Sequence, residues 1–181
     1  MRNILVVYYS WGNNIKAVAE YLSQKLGADL LELKPKEAYP TDYDACVRKV
    51  GRDGAAYEPE LEGKTSDLSS YNGVFVGSPC WLGTIANPVR TFLHQDDFSG
   101  KTVVLFMTHA TSGLHVQDVA KLCPGAKVLN GHGVFNSYQV STKKTRRKIW
   151  EITRRILTGG FERSDSDISF LRRPTIFNKK I

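Results

Sequence analysis

Five short apolar blocks constrain this chain more than any other feature: ILVVY at 4–8, LLEL at 30–33, VFVG at 74–77, VVLFM at 103–107 and AKVL at 126–129. They do not alternate with polar residues, so they suit strands buried on both faces of a parallel sheet. Between them the apolar residues take helical spacing. Ile15, Val18, Ala19 and Leu22 mark one helix, closed by Gly27. Val89, Phe92 and Leu93 mark another, with Pro88 placed for its first turn. Val116, Val119, Ala120 and Leu122 mark a third, stopped at Pro124-Gly125, and Ile149, Ile152 and Ile156 mark the last. The irregular stretch 35–67 is expected to hold one helix near Asp42 to Val50. Strands alternating with helices predict right-handed crossovers and a doubly wound α/β sheet.

A chain of 181 residues, 41% of them hydrophobic, suits one well-buried domain. No apolar run is long enough for a membrane span, and the N-terminus is too short in apolar residues for a signal peptide. Cys46, Cys80 and Cys123 form no C-x-x-C pair, which suits a reducing cytoplasm and neither a disulfide frame nor a zinc site. The four histidines show no metal-ligand spacing with cysteine or carboxylate, so no metal site is expected.

The net charge of +7 is unevenly spread. Residues 143–181 carry 12 Lys/Arg against 4 Asp/Glu, and the chain before them comes to −1. An acidic partner would therefore meet the C-terminal end. The run KKTRRKIWEITRR has its apolar residues on one stripe, which predicts a docked final helix with a basic outer face and no nucleic-acid binding. A domain over 1–157 with a basic extension over 158–181, hinged at Gly159-Gly160, is the expected division. The extension carries Phe161, Ile168, Phe170, Leu171, Ile176 and Phe177, too apolar for a solvated tail, and is expected to serve association.

In an open α/β sheet, ligands bind beyond the carboxyl ends of the strands, where the strand order reverses. Three strand ends carry small, hydroxyl-bearing and glycine residues: SWGNN after the first, SPCWLGT after the third and THATSG after the fourth. With strand order 2-1-3-4-5 these loops lie side by side. The first is either an ordinary helix cap or an anion seat, because amides at a helix start point outward without partners. Trp81 is either a core residue or a platform for stacking an aromatic ring. There is no G-x-x-x-x-G-K-[ST] and no G-x-G-x-x-G, so neither a nucleoside triphosphate nor a dinucleotide site is indicated. Ser112, His115 and Asp118 lie close in sequence, but without a G-x-S-x-G elbow they do not predict a hydrolase.

The stretches YYSWGNNIKAVAEYL, AYPTDYDACVRK with EPEL, FVGSPCWLGTIANPVRTFL and FMTHATSGLH resemble the flavodoxin family, in particular its short-chain bacterial flavodoxin-like proteins, across about residues 2–157. The resemblance implies a five-stranded parallel sheet of order 2-1-3-4-5 with helices on both faces, and FMN as cofactor. By it, Ser10, Trp11, Gly12, Asn13, Asn14 and Ile15 would hold the phosphate. Ser78, Pro79, Cys80, Trp81, Leu82, Gly83 and Thr84 would border the isoalloxazine, with Trp81 stacked on it. Thr108, His109, Ala110, Thr111, Ser112 and Gly113 would line its other edge. The family's phosphate loop usually reads Ser/Thr-x-Thr-Gly-Asn-Thr, so two threonine hydroxyls are missing here, at Gly12 and Ile15. Each hydrogen bond to a charged phosphate is worth ~1.5–3 kcal/mol.

The implied function is electron transfer by single-electron steps of FMN, with no side chain needed as acid or base. The expected partner is a redox protein, an acidic one being the match for the tail, and the expected state a monomer or homodimer. Because the chain is basic overall, an FMN-dependent NAD(P)H:quinone oxidoreductase is the alternative. A flavin-free binding module on the same fold is a third reading, raised by the altered phosphate loop.

Overall fold

A computed structural model describes residues 3–63, 67–109, 115–135 and 143–157. The extension over 158–181 and the loop residues Ala110, Thr111, Ser112 and Gly113 lie outside the described residues. In chain order the elements are β1 (Ile4–Tyr8), α1 (Asn14–Leu26), β2 (Asp29–Glu32), α2 (Tyr43–Asp53), β3 (Gly73–Trp81), β4 (Thr84–Ile85), α3 (Asn87–Gln95), β5 (Thr102–His109), α4 (Val116–Leu122), β6 (Lys127–Phe135) and α5 (Lys143–Leu157). A single turn of 3₁₀ helix, Leu68–Ser70, precedes β3.

The long strands are parallel and run β2-β1-β3-β5-β6, the predicted order 2-1-3-4-5. The short strand β4 was not foreseen; it folds back antiparallel on the end of β3. The lack of alternation in ILVVY has a direct cause. Leu5 and Val7 enter an apolar core on one face of the sheet, while Ile4, Val6 and Tyr8 enter a second core on the other, under α1 and α5. Strand β2 departs from this pattern: it is an edge strand, with Leu30 exposed, and is not buried on both faces.

Several of the described residues between β2 and β3 are pinned. Pro35 bridges to Leu61, the Asn87 side chain donates to the Gly54 and Tyr57 carbonyls at 2.8 Å each, and the Thr91 hydroxyl donates to the Pro59 carbonyl at 2.9 Å. Helix α2 starts where the sequence indicated, because the Asp42 carboxylate accepts the Ala45 amide at 2.8 Å. Its Cys46 and Val50 enter the same apolar core as Leu5 and Val7 of β1 and Val74 and Val76 of β3. Among the described residues, no helix is long and apolar enough to cross a membrane.

Candidate functional site

At the carboxyl ends of β1, β3 and β5 lies a cavity of about 410 Å³, within the size range of small-molecule and cofactor sites. The first loop supplies Ser10, Trp11, Gly12, Asn14 and Ile15, the second Pro79, Cys80, Trp81 and Leu82, and the third Thr108 and His109. Some residues of each of the three predicted loops thus line one cavity, while Ala110, Thr111, Ser112 and Gly113 lie outside the described residues. Asn13, Ser78, Gly83 and Thr84 are not among the lining residues. A fourth wall was missed: Tyr43, Cys46, Val47 and Val50 of α2 also line the cavity. Their i, i+3, i+4, i+7 spacing is one helical face and could have been read from DYDACVRKV.

In the first loop, β1 hands over to α1 through Asn13, held at φ 62 with no side-chain cap of its own. The Ser10 hydroxyl accepts the Lys16 amide at 3.2 Å. The first backbone bond of the helix runs from the Ala17 amide to the Asn13 carbonyl, so the Asn14 and Ile15 amides precede the helical ladder. No acidic residue occupies this first turn, whereas Asp42 and Asp44 serve that of α2. The positive end of the α1 dipole is therefore left for an external anion. Trp11 is fixed from outside the loop, its indole N–H donating to the Pro40 carbonyl at 2.7 Å and its ring tilted against Tyr43 at 6.2 Å.

The second loop is a hairpin. Cys80 pairs with Ile85 and Trp81 with Thr84, leaving Leu82 and Gly83 as its two turn residues at φ 48 and φ 76. Positive φ at both central residues is the pattern of a type I′ turn, whose twist matches the strands and whose first position favours Asn, Asp or Gly. A leucine there costs ~1–2 kcal/mol. Ser78 is fully buried; its hydroxyl accepts the Ala86 amide and donates to the Pro79 carbonyl, each at 2.8 Å. The Thr84 hydroxyl donates to the Asp118 carboxylate at 2.8 Å. Both hydroxyls are spent tying the hairpin to α3 and α4.

Trp81 combines the two fates open to it in the sequence. It lines the cavity, yet it also stands edge-on to Tyr9 at 5.4 Å and to Tyr39 at 4.8 Å, and Tyr39 carries the Lys49 ammonium 5.4 Å from its ring centre. Replacing Trp81 with alanine is therefore expected to lower apo-protein stability by about 1–3 kcal/mol, from the two edge contacts alone. Urea unfolding measures it; an unchanged midpoint would show that these ring contacts contribute nothing.

The cavity's electrostatics are plain. Among the described residues, none of its lining side chains is Asp, Glu, Lys or Arg. Burial holds the His109 imidazole below the usual histidine range, and the neighbouring His115 pushes it the same way, so His109 is neutral near pH 7. Burial likewise pushes the Cys46 thiol up. The described lining thus joins the N-terminus of α1 at one end to an aromatic-walled space without fixed charge at the other.

A protein-family model described as flavodoxin matches residues 3–151. Among solved structures, a Bacteroides uniformis protein assigned as a flavoprotein superposes with a TM-score of 0.71 at 22% identity, over 83% of this chain and 98% of its own. A Lactobacillus acidophilus flavoprotein in complex with FMN gives 0.62 at 25% identity, over 77% and 97%. A flavodoxin from the domain Archaea gives 0.59 at 15% identity, over 87% and 97%.

Proposed function

The chain belongs to the flavodoxin family, and we propose that it is an FMN-binding electron-transfer protein whose cofactor cycles by single-electron steps. The observation that carries this reading is the α1 N-terminus, free of any acid of its own, opening onto an uncharged aromatic cavity. The residues fit FMN at both ends. The Asn14 and Ile15 amides and the Ser10 hydroxyl would hold the phosphate, in place of the threonines that Gly12 and Ile15 replace. Pro79, Trp81, Thr108 and His109 would bound the ring. When bound, FMN supplies the redox chemistry, and the protein positions the cofactor and excludes water.

The dipole end of α1 and its amides would compensate the phosphate charge without a cationic side chain in the cavity. Among the described residues no lining side chain is a cation, which favours a carrier over an enzyme that binds NAD(P)H, whose phosphates need positive partners. Reduction by NAD(P)H alone should be slow and should not saturate, whereas a reductase partner should reduce the protein rapidly. Saturating turnover with NAD(P)H would overturn the carrier reading in favour of an NAD(P)H-dependent oxidoreductase.

Ser10→Ala is expected to weaken FMN by ~1.5–3 kcal/mol, the range for a hydrogen bond to a charged group. Riboflavin, which lacks the phosphate, should be affected far less. Equal losses for the two flavins would mean that Ser10 acts only by capping α1 through the Lys16 amide.

A further inference from the structure

The excess positive charge of this chain sits on one helix. Helix α5 reads KKTRRKIWEITRRIL, seven Lys/Arg against the single acid Glu151, a net +6. Residues 158–181 carry five against three, only +2, and residues 1–142 come to −1. The helix, rather than the extension after it, thus supplies nearly all of the chain's +7. Arg147, Glu151, Arg154 and Arg155 are exposed, while Ile149 and Thr153 are buried. We propose that this exposed basic face of α5 is the docking surface for the protein that exchanges electrons with this one, and that the partner presents a patch of carboxylates. The proposal rests on reading the chain as an electron carrier, and it adds the face that the partner meets and the charge it carries.

The charges work against the helix that bears them. No acid stands in the first turn of α5, and Lys143 and Lys144 occupy the positive end of its dipole. Lys143 with Arg147, and Lys144 with Lys148, are like charges at i, i+4, a spacing that destabilises a helix. A helix kept basic against its local preferences points to use of that charge elsewhere. The face also lies beside the candidate site. Helix α5 follows β6 and packs on it and on α1. The charge of Lys148 reaches His132, three residues before the carboxyl end of β6. The N-terminal part of α5 is therefore at the end of the sheet that carries the cavity.

The composition of the face selects a protein over other polyanions. Ile149 is committed to the core and Ile152 packs against it, so this apolar stripe is not available to a bilayer. A nucleic-acid duplex is negative along its whole length and would meet Glu151, which stands among the exposed arginines and pairs with Arg147 at 3.7 Å. A protein can set carboxylates opposite the arginines, whose forks pair with them bidentately, and a neutral or basic group opposite Glu151. One helix face also suits the small interfaces of transient electron-transfer complexes.

Stopped-flow reduction of the FMN-loaded protein by a reduced acidic ferredoxin tests the proposal. One electron leaves the iron–sulfur cluster of this probe and enters the bound flavin, any proton coming from solvent. The second-order rate should fall as salt rises, and Arg147→Glu with Arg155→Glu should lower it at least about tenfold at low salt. Lysine at both positions should preserve the rate, and FMN affinity should be the same in all three proteins. Cytochrome c, a basic electron acceptor, should respond with opposite sign: its reaction should quicken with salt and in the charge-reversed variant. Rates indifferent to the helix variants, or a fall of equal size with cytochrome c, would overturn the proposal. So would a matching loss in Arg172→Glu with Arg173→Glu, which would assign docking to the extension. Binding of a DNA duplex or of phosphatidylserine vesicles at physiological salt, lost in the helix variant, would give the face to another polyanion and overturn it too. If the protein takes up no FMN, the carrier reading fails, and fluorescence anisotropy of labelled oxidised ferredoxin still decides the docking face. The parent chain should then bind it at least about tenfold more tightly than the charge-reversed variant, and equal binding would overturn the assignment.

Discussion

Gly131→Ala is expected to remove at least about 3 kcal/mol of stability, a large part of what a domain of this size possesses. The cause is a bulge in β6. Val104 pairs with Leu129 and Phe106 with His132, so Asn130 and Gly131 together oppose the single residue Leu105. The extra residue brings the β6 backbone onto that of β5, and a Cβ at Gly131 would land on the Leu105 carbonyl group. Backbone cannot move aside as a flexible side chain can. Gly51, inside α2, is the control: a Cβ there meets nothing within 4 Å, and Gly51→Ala should stabilise by about 0.5–1 kcal/mol. Urea unfolding of both variants checks the pair. A Gly131→Ala protein within 1 kcal/mol of the parent, on the scale of an ordinary surface change, would mean that the bulge is not as described.

The second large effect is a loss of stability in acid traceable to His132. This side chain is 7% exposed and lies in register with Phe106 and two residues before Val134, on the sheet face covered by α1 and α5. Burial, then the charge of Lys148 and then His109, pushes its pKa down from 6.5 to about 4. The folded protein therefore binds this proton less readily than the unfolded chain, for which the value stays near 6.5. Stability from the neutral imidazole is fully present above pH 6.5 and is lost as pH falls from there toward 4. The full excursion is about 3 kcal/mol. In His132→Gln the acid slope across this window should be markedly shallower than in the parent. Parallel slopes for the two proteins would assign the acid sensitivity to other groups.

The fold was legible because its signals are local and repeated. Both-face burial removes alternation from ILVVY, helical spacing picks out α1 and α3, and Asp42 announces α2 by capping it. The sheet order follows once strands and helices alternate. What escaped notice depends on encounters between distant segments. The strand β4 has two residues, too few for a periodic signal, and exists because Trp81 and Thr84 meet across Leu82-Gly83. Strand β6 continues six residues beyond the apolar block that ends at Leu129, through a bulge that only the proximity of Leu105 explains.

The candidate site was legible as three loops but not as hydrogen bonds. Ser78 and Thr84 have the hydroxyls of ligand donors, and nothing in SPCWLGT discloses that the Ala86 amide and Asp118 engage them. Near the α2 wall, Pro40 accepts the Trp11 indole from 29 residues away, a contact with no trace in local spacing. In each of these places a polar or apolar side chain found its partner through topology.

The central claim is that the α1 N-terminus seats the phosphate of FMN while the neighbouring uncharged cavity takes the ring. Titration of the cofactor-free protein with FMN and, separately, riboflavin, followed by quenching of flavin fluorescence, tests both halves at once. The account predicts quenching by the aromatic walls with either flavin, and FMN bound at least about tenfold more tightly than riboflavin, from one or more charge-assisted hydrogen bonds. Absence of quenching at micromolar FMN, or equal affinity for the two flavins, would contradict it.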